Sequence, residues 1–198
     1  MKKILIGLTC MLALICSVGC TDDKKSANTS KKEVTKTKST TKAVTSKCSY
    51  YECLSKMSLD NSIEEINDII GFDATKLENN TSSTLDKYEY DFGGDKKITV
   101  TINNSNNKIS SIKLEYDKKD IKNKKVTLEN LSDIKARIND GISYDEFKKS
   151  VGGVDGTLIE LSSWTKYVWI AGDGSSYVTA SFGKNDGKLK FFNGLGFK

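Results

Sequence analysis

The stretch Ser62-Ile-Glu-Glu-Ile-Asn-Asp-Ile-Ile-Gly71 aligns without a gap with Ser143-Tyr-Asp-Glu-Phe-Lys-Lys-Ser-Val-Gly152. Each copy begins with serine and has glutamate three residues later, which is the capping-box pattern of a helix N-terminus. Apolar residues then recur at helical spacing, and each copy ends at a glycine suited to a left-handed C-terminal cap. The alignment predicts an internal duplication in the folded part of the chain.

The segments around each copy repeat the same order of elements. A helical stretch precedes each capping box, and after each copy the apolar period changes from helical spacing to two. Tight turns are predicted at Gly93-Gly94-Asp95 and at Gly172-Asp173-Gly174. We therefore expect an α+β fold of two tandem units, each a helix pair packed on a three- to four-stranded antiparallel sheet. The predicted units cover residues 48–122 and 123–198.

The first 19 residues have the pattern of a bacterial lipoprotein signal peptide. A basic head is followed by an apolar run from Ile4 to Val18, and this order directs secretion. The segment ends Ser17-Val-Gly-Cys20, which resembles the lipobox. The resemblance implies cleavage between Gly19 and Cys20 and attachment of a lipid to the Cys20 thiol. The alternative is an ordinary signal peptide cut near Gly19, which would release a secreted protein.

Residues 20–47 are predicted to be the lipidated cysteine and a disordered tether. The stretch is rich in Lys, Ser and Thr and has no aromatic residue, so it cannot bury enough apolar surface to offset its ordering entropy. The whole chain has a net charge of +5, and the signal peptide and the tether together have a larger positive net charge than that. The remainder from Cys48 is slightly acidic, which argues against nucleic-acid binding.

The repeated units resemble the beta-lactamase inhibitory protein family, and a single unit resembles the SmpA/BamE-type outer-membrane assembly lipoproteins. The resemblance is carried by Ser143-Tyr-Asp-Glu-Phe…Gly152, then by Tyr167-Val-Trp169…Gly172-Asp173-Gly174…Phe182. It implies a partner gripped on a concave sheet face, with a hairpin aspartate, here Asp95, entering an enzyme's active site. Asp95 and its counterpart Asp173 are therefore partner-binding candidates, with ordinary turn chemistry as the alternative role.

Strand alternation predicts which residues face away from the helices. Charged Glu89 should face water, so Tyr90 beside it should face the core, and the repeat places Trp169 in the core too. The apolar residues predicted to lie on or beside the open face are Trp164, Val168, Ile170 and Tyr177. Exposed apolar and aromatic residues of this kind are typical of a contact site. The alternative is that these residues cover the seam between the two units.

The remaining chemistry-bearing residues give little support for catalysis. The chain has no histidine, the commonest general base and metal ligand. Ser163-Trp-Thr-Lys166 fits a Ser-x-x-Lys pattern, but such matches arise by chance in a chain rich in Ser and Lys. Cys48 and Cys53 either form a short disulfide outside the cell or leave Cys53 free in a helix core. We expect no enzyme activity, no cofactor and no metal site.

The sequence thus predicts a lipid-anchored binding or scaffold protein on the extracytoplasmic side of the cell membrane. It would dock an unknown extracytoplasmic protein on its open sheet face, and we expect a monomer. Two alternatives remain: an inhibitor of an extracellular enzyme, such as a beta-lactamase or a peptidase, and an envelope-assembly lipoprotein.

Overall fold

A computed structural model describes residues 45–78, 84–129 and 131–196, which all belong to one compact unit. The predicted signal peptide, the cleavage and lipidation site at Gly19 and Cys20, and most of the tether lie outside the described residues. The helices are α1 (Tyr50–Cys53), α2 (Ile63–Ile70), α3 (Lys118–Ile121), α4 (Leu131–Ala136) and α5 (Tyr144–Ser150), and 3₁₀ turns cover Leu54–Lys56 and Ile138–Asp140. The strands are β1 (Thr75–Leu77), β2 (Leu85–Asp91), β3 (Lys97–Asn103), β4 (Lys108–Leu114), β5 (Lys122–Asn123), β6 (Thr157–Leu161), β7 (Trp164–Ala171), β8 (Tyr177–Gly183) and β9 (Leu189–Leu195).

The nine strands form one sheet, which overturns the predicted fold class of two units that each carry their own small sheet. The order is β1-β2-β3-β4-β6-β7-β8-β9, antiparallel throughout, and β5 adds a short parallel pairing with β7. β4 and β6 join the two halves through Ile112 opposite Leu161 and Lys113 opposite Glu160. An open sheet edge leaves backbone groups unpaired, so the two inner edges pair with each other instead of ending two separate sheets.

The helices are shorter than the predicted pairs. α1 has four residues and continues only as a 3₁₀ turn, and α4 has six residues. Helices of this length have little intrinsic stability, so the sheet that they cover holds them in place. The molecule is therefore built mainly from the sheet, with α1, α2, α4 and α5 packed on one side of it.

Both predicted capping boxes are confirmed. The Ser62 hydroxyl accepts from the Glu65 amide and the Glu65 carboxylate accepts from the Ser62 amide, and Ser143 and Glu146 repeat this arrangement. The glycines that follow, Gly71 and Gly152, have φ of 98° and 91°, in the left-handed region where glycine is favoured. These local signals occur in both copies although the surrounding fold differs from the prediction.

Strand register defines a helix-covered face and an open face. Val100, Ile112, Leu161 and Thr165 lie opposite one another in successive strands, and paired residues share a face. Along β7, Thr165, Tyr167 and Trp169 lie on this same face. Trp169 is buried against the α5 residue Phe147, with ring centroids 5.1 Å apart, and its Nε1 donates to the Val154 carbonyl at 2.8 Å. The predicted core position of Trp169 is confirmed, as is that of the fully buried Tyr90.

Candidate partner-binding face

Most of the open face is polar. Thr99 and Lys113 lie opposite each other on β3 and β4, and Lys113 lies opposite Glu160 on β6. Glu160 accepts from Lys166 on β7, with 2.8 Å between Oε2 and Nζ. The exposed Lys113 and the Glu160–Lys166 ion pair make this part of the face a charged, solvated surface.

The open face becomes apolar at its β7–β9 end. Three large hydrophobic side chains are exposed among the described residues. The exposed fractions are 36% for Trp164, 45% for Phe191 and 61% for Leu195. The Trp164 and Phe191 rings pack edge to face with centroids 5.6 Å apart. Ser181, which lies opposite Phe191 in the sheet, is buried at 1%. We call Trp164, Phe191 and Leu195 the open-face patch.

Sequence alternation did not identify Phe191 and Leu195. The pairing of β8 with β9 shifts register between Ser181 and Phe182, so that Phe182 lies opposite Leu189 and Ser181 opposite Phe191. Lys190 is the extra residue of this bulge, and a bulge reverses which residues face outward. Phe191 therefore lies on the open face. At the β9 edge of the sheet it also borders a groove of about 390 Å³, whose other wall includes Ile138 from the helix-covered side.

The predicted exposure of Val168 and Ile170 is wrong. Both lie on the side of β7 opposite Trp169, as alternation predicted, but each is only 1% exposed. The segment that leaves β4 covers them, because Tyr116 and Ile121 pack in the same hydrophobic cluster and Lys122 pairs with Ile170. For these two residues the burial agrees with the alternative role of covering a seam, because they belong to one hydrophobic cluster with Tyr90 of the first half of the chain. They do not form a contact surface in this conformation.

Tyr177 is half-buried beside that segment. It lies opposite Ile170 on β7 and opposite Leu195 on β9. The Lys118 ammonium lies 3.8 Å from the centre of the Tyr177 ring, which is a cation–π contact. Of the four residues predicted for the open face, Trp164 is exposed and Tyr177 is half covered. The other two are buried.

The two hairpin aspartates lie at the same end of the sheet but differ in environment. In the strand order, β7 is the fourth strand after β2, and the two strands run in the same direction. The hairpins that follow them are therefore separated by about 19 Å across the strands, at ~4.8 Å per strand. Asp173 accepts from the Ser175 and Ser176 amides and from the Ser176 hydroxyl at 2.8–2.9 Å. These hydrogen bonds, led by that from the Ser176 amide, lower the pKa of Asp173 to about 2.

Asp95 has no hydrogen bond or ion pair within the part of the chain that the structure describes, and its side chain is exposed. It follows Gly93 and Gly94, whose φ values of 91° and 64° place both in the left-handed region. Asp173 thus stabilises its own turn, whereas the Asp95 carboxylate is available to a partner.

Cys48 and Cys53 form a disulfide, the first of the two alternatives left open by the sequence. The bridge closes a short loop where the predicted tether meets the folded part. Just before it, the Lys47 amide donates to the Ile70 carbonyl at 2.7 Å and the Ser46 hydroxyl donates to the same oxygen at 2.9 Å. The last tether residues are therefore fixed to the C-terminal end of α2.

In the Ser-x-x-Lys pattern, the Ser163 hydroxyl has no free Lys166 amine beside it to act as a base. Ser163 lies in the turn between β6 and β7, and the Lys166 ammonium is paired with Glu160. Residues 45–78, 84–129 and 131–196 contain no group of three or more metal-ligating side chains and no helix long and apolar enough to cross a membrane.

No family model matches the chain, and no curated protein matches its sequence. Any functional assignment therefore depends on the geometry of the open face and on the motifs in the sequence.

Proposed function

We propose that this chain is a lipid-anchored, extracytoplasmic binding protein that docks a protein partner on the open-face patch. The observation that carries the proposal is the placement of three exposed large hydrophobic side chains, Trp164, Phe191 and Leu195, on β7 and β9 of a face whose other exposed residues are mainly polar. Aromatic side chains supply most of the binding energy at protein interfaces when a partner removes them from water. The lipobox resemblance at Cys20 supports the anchor and the extracytoplasmic location.

The shape of the patch favours a protein as the ligand. Trp164 and Phe191 contact each other edge to face, so their exposed surfaces form one apolar area. Leu195 adds a second apolar contact four residues further along β9, opposite Tyr177. The polar part of the same face, with the Glu160–Lys166 ion pair, supplies the polar rim that surrounds the apolar centre of a typical interface. A partner that covers the patch would bury apolar area without unpairing any of these charges.

Site-specific photocrosslinking in intact cells tests the proposal. A photoreactive residue replaces Phe191 in one variant and Lys113 in the control, because both positions lie on the same face and are exposed. The expected result is a discrete protein adduct from position 191 that is absent from position 113. Equal adducts from both positions, or none from either, would reject the open-face patch as the docking site.

The free carboxylate of Asp95 favours a second candidate, an inhibitor of an extracellular enzyme. The test is titration of the purified chain against beta-lactamases and secreted peptidases. A stoichiometric block that Asp95→Ala removes and Asp173→Ala retains would support inhibition. A block that is unaffected by Asp95→Ala would reject this role for the hairpin.

A further inference from the structure

Residues 115–125 form the connection that covers the inner part of the open face, and we call them the strap. The strap leaves β4, contains α3, and ends beyond β5, which pairs with β7 through only two residues. Its side chains Tyr116 and Ile121 pack in the cluster that contains Val168 and Ile170. The strap thus occupies a surface that strand alternation would otherwise leave open to a partner.

Apart from the half-buried Tyr116 and Ile121, the backbone bond from Glu115 to Lys97 and the β5–β7 pairing, the strap is held mainly by contacts at the surface. Lys118 lies over the Tyr177 ring at 3.8 Å, and the Asp120 carboxylate accepts from Lys96 at 3.1 Å and from the Tyr51 hydroxyl at 3.2 Å. No residue of α3 is buried. Exposed ion pairs and cation–π contacts are individually weak, and segments held by few buried contacts open at a lower free-energy cost than the core.

The surface beneath the strap continues the open-face patch. Tyr177 lies opposite Ile170 on one side and opposite Leu195 on the other. If the strap lifts, the apolar area extends from Leu195 through Tyr177 to Ile170 and Val168. Strap opening would therefore enlarge the docking surface at the cost of the two-residue β5–β7 pairing, without any change in the pairing of β7 with β8 or of β8 with β9.

We propose that the strap is a built-in cover that opens as a unit while the eight antiparallel strands stay paired, uncovering Val168, Ile170 and Tyr177 beside Leu195 of the open-face patch. In the closed conformation the strap limits the docking surface to the outer residues. Its use in partner binding rests on the proposed function, but opening is a property of the isolated chain and is measured without a partner.

Thiol labelling of two buried positions tests this proposal. Ile170→Cys places a thiol beneath the strap, whereas Val178→Cys places one in the neighbouring strand on the helix-covered face, and both parent side chains are buried. The variants are made in the full chain with Cys10, Cys16 and Cys20 changed to serine, in mild detergent. We expect the thiol at position 170 to react with a soluble disulfide reagent at least tenfold faster than the thiol at position 178, after correction for the global stability of each variant.

A matched pair of strap variants identifies the contact that holds the strap closed. Lys118→Gln removes the contact with the Tyr177 ring, and we expect it to speed labelling at position 170 about two- to fivefold. Lys119→Gln removes the adjacent, exposed charge and should leave the rate unchanged. Equal labelling rates at positions 170 and 178, or no effect of Lys118→Gln, would overturn the proposal.

Hydrogen exchange provides a second measurement that needs no cysteine substitution. In the otherwise unmodified chain, the amides of Lys122 and Asn123 should exchange faster than those of Val168 and Val178. If all four exchange at the rate of global unfolding, the strap is part of the core and does not open separately.

Discussion

The different burial of Ile170 and Phe191 is tested by comparing the stabilities of Ile170→Ala and Phe191→Ala. Both side chains lie on the same face of the sheet, but Ile170 is 1% exposed beneath the strap and Phe191 is 45% exposed. Ile170→Ala deletes three buried carbon atoms, about 2.5 kcal/mol at ~0.8 kcal/mol each, and leaves a cavity, so we expect a loss of about 3 kcal/mol. Phe191→Ala deletes a larger side chain from a half-exposed site and should cost about 1 kcal/mol or less.

The assay is equilibrium unfolding of both variants and the parent chain in urea, monitored by tryptophan fluorescence and by circular dichroism. Equal slopes for all three proteins would show that the midpoints report stability alone. If Ile170→Ala cost less than 0.5 kcal/mol while Phe191→Ala cost more than 2 kcal/mol, as order-of-magnitude bounds, the burial argument for the strap would be refuted.

Three further outcomes follow from individual positions. Gly152→Ala should destabilise the fold by about 2 kcal/mol or more in thermal unfolding, because φ is 91° and an added Cβ would meet the Lys125 carbonyl. The control Gly153→Ala has open space around the added Cβ and should cost about 1 kcal/mol. The lowered pKa of Asp173 stabilises the fold above its unfolded value of 3.8, and this stabilisation disappears as pH falls toward 2. Asp173→Asn should therefore lose less stability than the parent between pH 4.5 and pH 2 in acid titration. Cys20→Ser should abolish incorporation of labelled fatty acid and release the chain from membranes, and continued labelling would refute lipidation at this position.

Local signals along the chain predicted local structure well. The Ser62–Glu65 and Ser143–Glu146 capping boxes are present, and alternation correctly placed Trp169 and Tyr90 in the core. These features depend on residues a few positions apart, whose geometry is set by helix and strand periodicity. Their success did not depend on the overall fold.

The failures arose where distant segments meet. Nothing in the spacing of apolar residues shows that β4 pairs with β6, so the single sheet was mistaken for two. Alternation placed Ile170 on the correct side of β7 but could not show that the strap covers it. The bulge at Lys190 reversed the strand pattern at Phe191, and a register shift of this kind leaves no periodic signal in the sequence.

The central claim is that the open-face patch carries the binding energy for a protein partner. Once crosslinking from position 191 has identified that partner, calorimetry with the purified proteins measures its affinity for the parent chain, for the Phe191→Asp, Leu195→Asp double variant and for Lys113→Gln. The double variant should bind at least about tenfold more weakly, since charges would replace two apolar contacts, and Lys113→Gln should bind like the parent. Unchanged affinity in the double variant would contradict the claim.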